Sequence, residues 1–69
     1  MKQLGNLAIV CAKRKDIVFL IMNGIAHVLV FDEEGNELEN ARAKWDDDQT
    51  IQEICHKLNF GRFARGDAQ

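Results

Sequence analysis

Cys11, Cys55, His27 and His56 are the side chains of this chain best suited to act as nucleophiles or metal ligands. Structural zinc draws its ligands from pairs roughly two to five residues apart. Here the cysteines lie 44 positions apart and Cys55 is adjacent to His56. On a helix adjacent side chains point about 100° apart around the axis, so this spacing predicts no metal site. A Cys-His nucleophilic pair meets a similar obstacle, because Cys55 falls on an apolar helical stripe where a thiolate is suppressed. Both cysteines are read as small buried hydrophobes, and with no export signal they are expected to stay reduced. The chain contains no Ser, no Tyr and a single Thr, Thr50, which excludes hydrolysis of the Ser-His-Asp kind. Nor is there a phosphate-binding glycine loop, or a carboxylate pair on apolar strands where its pKa would shift. The expectation is a non-enzymatic protein with no cofactor and no metal. His27, set among apolar neighbours, reads as a satisfied core histidine or as a polar marker at a subunit interface.

Charge offers two candidate surfaces. Residues 32–48 hold eight acids against Arg42 and Lys44, and Asp32, Glu33, Glu34, Glu37, Asp46 and Asp47 form a candidate surface for a basic protein partner. The plainer reading of those acids is a solvated loop and a helix cap. Lys13, Arg14 and Lys15, with Arg62 and Arg65, make the alternative, a nucleic-acid patch. Phe60-Gly61-Arg62-Phe63-Ala64-Arg65-Gly66 interleaves aromatics and arginines as single-strand binders do. An up-and-down meander would bring the 13–15 turn, the 32–37 loop and the end of the last helix together, so that opposite charges compensate at modest energy. With 9 Lys+Arg against 11 Asp+Glu, protein interaction ranks ahead of nucleic-acid binding.

Those side chains need a scaffold, and 69 residues allow one domain. Such a chain removes only about 60% of its unfolded surface from water, so it is marginal without extra support. The 46% hydrophobic content and near-balanced charge reject disorder. The apolar run from Ile17 to Phe31 is interrupted by Asn23-Gly24 and is too short for a membrane span. Met1-Lys2-Gln3 followed by Leu4 to Ala12 faintly imitates a signal peptide, but Lys13-Arg14-Lys15 replaces the cleavage site. A cytoplasmic protein is expected.

Two β-favouring runs, 17–22 and 25–31, flank Asn23-Gly24, the signature of a hairpin closed by a type I′ turn. Ala41-Arg42-Ala43-Lys44-Trp45 alternates with period two, as a strand does. Asp46-Asp47-Asp48 then caps a helix whose apolar stripe is Ile51, Ile54, Cys55 and Leu58, stopped at Gly61. The run 4–12 is read as a first strand. The predicted fold is therefore α+β, a four-stranded antiparallel β-meander (5–12, 17–23, 25–31, 39–45) with one C-terminal α-helix (48–59) on one face. Residues 1–61 make the domain, and 62–69 a loosely ordered tail with Phe63 tucked in at most.

The hairpin register places Val18, Leu20, Met22, Ile25, His27 and Leu29 on one side, and Ile17, Phe19, Ile21, Ala26, Val28 and Val30 on the other. Both sides are apolar, and one helix covers only one. Either the 4–12 segment folds over the sheet, or a second copy of the chain covers the remaining face or the edge of a terminal strand. A homodimer is the leading expectation, with Ile17, Phe19, Ile21, Val28 and Val30 as its candidate face.

Overall fold

A computed structural model describes residues 2–61. The element order is α1 (Lys2–Ala12), β1 (Ile17–Met22), β2 (Ile25–Phe31), β3 (Glu37–Lys44) and α2 (Asp48–Asn59). The class is α+β as expected, but the sheet has three antiparallel strands in the order β1-β2-β3, with a helix at each end of the sequence. The expected tail, with Arg62, Phe63 and Arg65, lies outside the described residues.

The correction concerns residues 4–12, which form a helix and not a strand. Ile9-Val10-Cys11 looks β-favouring in isolation, yet Ile9 is exposed, Val10 partly buried and Cys11 buried. That spread belongs to a helix turning through about 100° per residue, not to a strand with alternating sides. Leu4, Leu7 and Cys11 sit at i, i+3 and i+7, and this stripe packs into the same apolar cluster as α2. A short apolar run carries both periodicities, and burial against α2 decides between them.

The hairpin forms as its turn requires. Asn23 and Gly24 both take positive φ, 53° and 75°, and Met22 pairs with Ile25, Leu20 with His27 and Val18 with Leu29. Positive φ is what requires glycine at 24, since a Cβ there would be in ordinary contact, 3.4 Å, with Trp45 Cδ1; the Trp45 backbone N–H donates to the Gly24 carbonyl at 3.0 Å. β3 pairs with β2 so that Ala41 faces Val28 and Ala43 faces Ala26, with a register shift at Val30/Phe31. α2 begins at the Asp47 cap, whose carboxylate accepts from the Thr50 N–H at 3.2 Å and the Thr50 hydroxyl at 2.7 Å.

Both helices pack on the same side of the sheet. Leu7 and Cys11 of α1 and Ile51, Ile54, Cys55 and Leu58 of α2 form one cluster with Val28, Val30 and Ala43, flanked by Ile17, Phe19 and Ala41. By the strand register, all of these sheet residues share one face. Full burial of each large aliphatic chain is worth about 1.5–3 kcal/mol, and Ala41 and Ala43 keep that face shallow where the helices lie. The result is a two-layer sandwich, helices on one side and sheet on the other, with nothing from residues 2–61 over the second sheet face.

Candidate functional site

The uncovered face is built by alternation. On β1 it carries Val18, Leu20 and Met22; on β2, Ile25, His27, Leu29 and Phe31; on β3, the exposed Leu38 beside the register shift, then Asn40, Arg42 and Lys44. Val28 and Val30 on the helix side are 0% exposed, whereas Val18 and Met22 are 44% and 57% exposed. Ile25, His27, Leu29 and Phe31 are half-buried, shaded only by neighbouring strands. Glu37 pairs with Phe31 and its carboxylate accepts from the Asn40 amide at 2.8 Å, which places it at the Phe31 end of this surface. Lys44, the partner of Ile25, stands at the opposite end. The face thus combines an apolar hairpin with a β3 that is acidic at one end and basic at the other.

This geometry reverses the expected assignment of faces. Ile17, Phe19, Val28 and Val30, the candidate interface, lie in or against the core that both helices cover, and only Ile21 among the five is half exposed. The reason is the first helix. Once residues 4–12 coil instead of extending, two helices compete for one face and leave the opposite one open.

The candidate acidic surface divides. Asp32, Glu33 and Glu34 precede β3, Glu37 opens it, and Asp46 and Asp47 follow its far end; eight residues at about 3.3 Å each put roughly 25 Å between the two ends. Asp32 acts within its own loop: it accepts from the N–H of Asn36 at 2.8 Å, the Asn36 amide at 3.1 Å and the N–H of Glu34 at 3.0 Å. Those bonds, with the Asn36 backbone foremost, hold its carboxyl below the usual range. Asp47 is likewise lowered, first by the Thr50 hydroxyl and backbone that it caps and then by Lys44. Glu33, Glu34 and Asp46 are exposed.

The candidate basic patch loses a member. Arg14 lies in a bidentate pair with Asp16, Nε to Oδ1 at 3.0 Å and Nη2 to Oδ2 at 2.5 Å, with side chains only 9% and 3% exposed. Asp16, the buried anion of this pair, was missed in the sequence; Arg14-x-Asp16 at the mouth of a strand was the available signal. Lys13 and Lys15 point to solvent, and the Asp32–Asn36 loop shares their end of the sheet, since the Phe31 N–H donates to the Asp16 carbonyl at 2.8 Å. Arg62 and Arg65 lie outside the described residues.

Cys11 and Cys55 are buried thiols. Burial, and then the neighbouring Cys55, push Cys11 up to about 11 against a small opposing pull from Arg14, and burial alone raises Cys55. Such thiols are poor nucleophiles at neutral pH. Among the described residues no three His, Cys, Asp or Glu side chains converge as a metal site, and no helix is long and apolar enough to cross a membrane. An open groove of about 380 Å³ between α1 and α2 is lined in part by Ile9, Val10, Gln52, Cys55, His56 and Phe60. His56 and Phe60 stack there with ring centroids 4.5 Å apart. Comparison with protein-family models, with curated proteins and with solved structures returns no match.

Proposed function

We propose that this protein is a non-enzymatic, homodimeric interaction module of the cytoplasm, in which two copies meet through the open sheet face. The observation that carries this reading is the uncovered apolar surface of the hairpin, Val18, Leu20, Met22, Ile25 and Leu29. Contiguous apolar patches beyond a few hundred Å² mark interaction sites on monomeric domains. Pairing also supplies the extra burial that a chain of 69 residues needs. With the hairpin engaged, Glu33, Glu34 and Asp46 stay exposed, available to a basic protein partner. A reducing compartment suits two buried thiols with no disulfide between them. Of the described members of the alternative nucleic-acid patch, Lys13 and Lys15 are exposed beside an acidic loop and Arg14 is paired with Asp16.

Sedimentation equilibrium at micromolar concentration tests the reading. The expected mass is twice the 7.9 kDa of the chain, falling toward it on dilution. A mass of 7.9 kDa at every concentration overturns the homodimer.

A further inference from the structure

The pattern of the open face goes further than the fact of pairing. We infer that the second copy docks with its two-fold axis in the plane between the sheets and perpendicular to the strands, so that hairpin lies on hairpin and β3 on an antiparallel β3. This inference rests on the homodimer proposed above.

A face-to-face dimer of sheets has two simple choices of axis. With the axis along the strands, lateral order reverses and β3 of one protomer lies over β1 of its partner. Arg42 and Lys44 would then be pressed onto Val18, Leu20 and Met22, desolvating two cations against apolar side chains with no acid opposite. With the axis across the strands, lateral order is kept and direction reverses. Apolar strands then meet apolar strands, and the polar row of β3 meets itself head to tail.

The ladder also sets a register. Along the open face the rows run Phe31/Glu37, then Val18/Leu29/Asn40, then Leu20/His27/Arg42, then Met22/Ile25/Lys44. Inverting that order about its middle sets Glu37 opposite the partner's Lys44 and Phe31 opposite the partner's Ile25. Asn40 then faces the partner's Arg42, and Leu29 the partner's His27. No like charges coincide within the paired strands, and Glu37 meets a cation twice by symmetry. The acids Glu33 and Glu34 belong to the loop beyond the last pair, and Asp47 is turned back onto Thr50. Strands about 20 Å long and three strands about 14 Å wide give roughly 560 Å² of projected area over the two faces, the scale of a small and weak interface. Sheet twist then sets the two strand directions near the roughly 30° of aligned packing.

Stacked sheets stand about 10 Å apart, too far for a disulfide, so a short bis-maleimide is the suitable probe. In the Glu37→Cys, Lys44→Cys double variant the two positions are over roughly 20 Å apart within one chain, and a short link between them is necessarily intermolecular. A covalent dimer from that variant, with neither single variant cross-linking, supports the inference. Within one chain Met22 and Lys44 share a row about 10 Å apart, so the control mixes two single variants: a covalent dimer between a Met22→Cys chain and a Lys44→Cys chain sets β3 over β1 and overturns the axis while the homodimer stands. Dimeric mass without either link also overturns it, whereas monomeric mass in sedimentation removes the homodimer itself. As a check free of cysteine chemistry, Lys44→Glu is expected to weaken dimerisation about tenfold, with Glu37→Lys restoring it in the same chain. Failure of that rescue overturns the register.

Discussion

The two faces of this sheet are made of the same kinds of residue and meet different fates. Val28 and Leu29 are neighbours on β2, yet Val28 is fully enclosed by helices and Leu29 stands on the side that no described element covers. The difference lies in β3 and the helices. On one side β3 presents Ala41 and Ala43, small enough for α2 to approach; on the other it presents Asn40, Arg42 and Lys44. A helix laid over the second side would press its apolar stripe on charged β3 side chains. In the proposed dimer, a copy of the same surface would supply both an apolar hairpin and an acid for the cation. Composition of a central hairpin therefore does not say which face is core; the outer strand does.

The largest effects should separate the faces outright. Val28→Asp places an unpaired carboxylate in the core and is expected to abolish cooperative unfolding. Leu29→Asp is expected to leave the monomer folded by circular dichroism and to weaken dimerisation about a hundredfold, as loss of a central interface residue does. An unfolded Leu29→Asp would erase the distinction. Next comes the edge of the covered side. Asp16→Ala removes the carboxylate in bidentate contact with the buried Arg14 guanidinium, and a loss of about 3 kcal/mol is expected in urea unfolding of the monomer. Ile51→Ala, a cavity under both helices, should cost about as much. Met22→Ala on the open face should change monomer stability by no more than about 0.5 kcal/mol.

Smaller effects sharpen the helical side alone. Because capping bonds hold the Asp47 carboxyl below its unfolded value, its contribution is fully present above the ordinary carboxylate range and is lost as pH falls through the lowered folded value. Asp47→Asn should thus lower the thermal midpoint at neutral pH, with the gap to the parent closing in strong acid. Cys11, pushed up to about 11 by burial and the nearby Cys55, should resist a thiol reagent at mildly alkaline pH in the native protein and react promptly in urea. Fast labelling of the native state would show that the helices open away from the sheet.

Much of this architecture was legible in advance, for identifiable reasons. Asn23-Gly24 sets the hairpin register because few other residues accept two positive φ values, and every pair from Met22–Ile25 to Ile17–Val30 follows from it. The stripe Ile51, Ile54, Cys55 and Leu58 announced α2, which is the helix that formed, over 48–59. The 4–12 segment was not decidable, since its helical stripe at Leu4, Leu7 and Cys11 coexists with an unbroken apolar run at Ala8 to Ala12. Taken as a strand, that segment leaves one helix to place, and the face of Ile17, Phe19, Ile21, Val28 and Val30 then looks open; as a helix it covers that face with α2. The alternation Ala41-Arg42-Ala43-Lys44 already marked the helix-facing side. Arg14 is illegible for a different reason: a cation in a basic run looks solvent-facing until Asp16, which pairs with it, is placed in space.

The central claim is that the open face, and not the helix-covered face, meets a second copy. Isotope-filtered nuclear Overhauser spectroscopy on a mixture of methyl-labelled and unlabelled chains tests it directly. Intermolecular contacts are expected from the methyls of Val18, Leu20 and Leu29, with none from Val28 or Val30. Intermolecular contacts from Val28 or Val30, or none from any of the five at a concentration where the chain is dimeric, would contradict it.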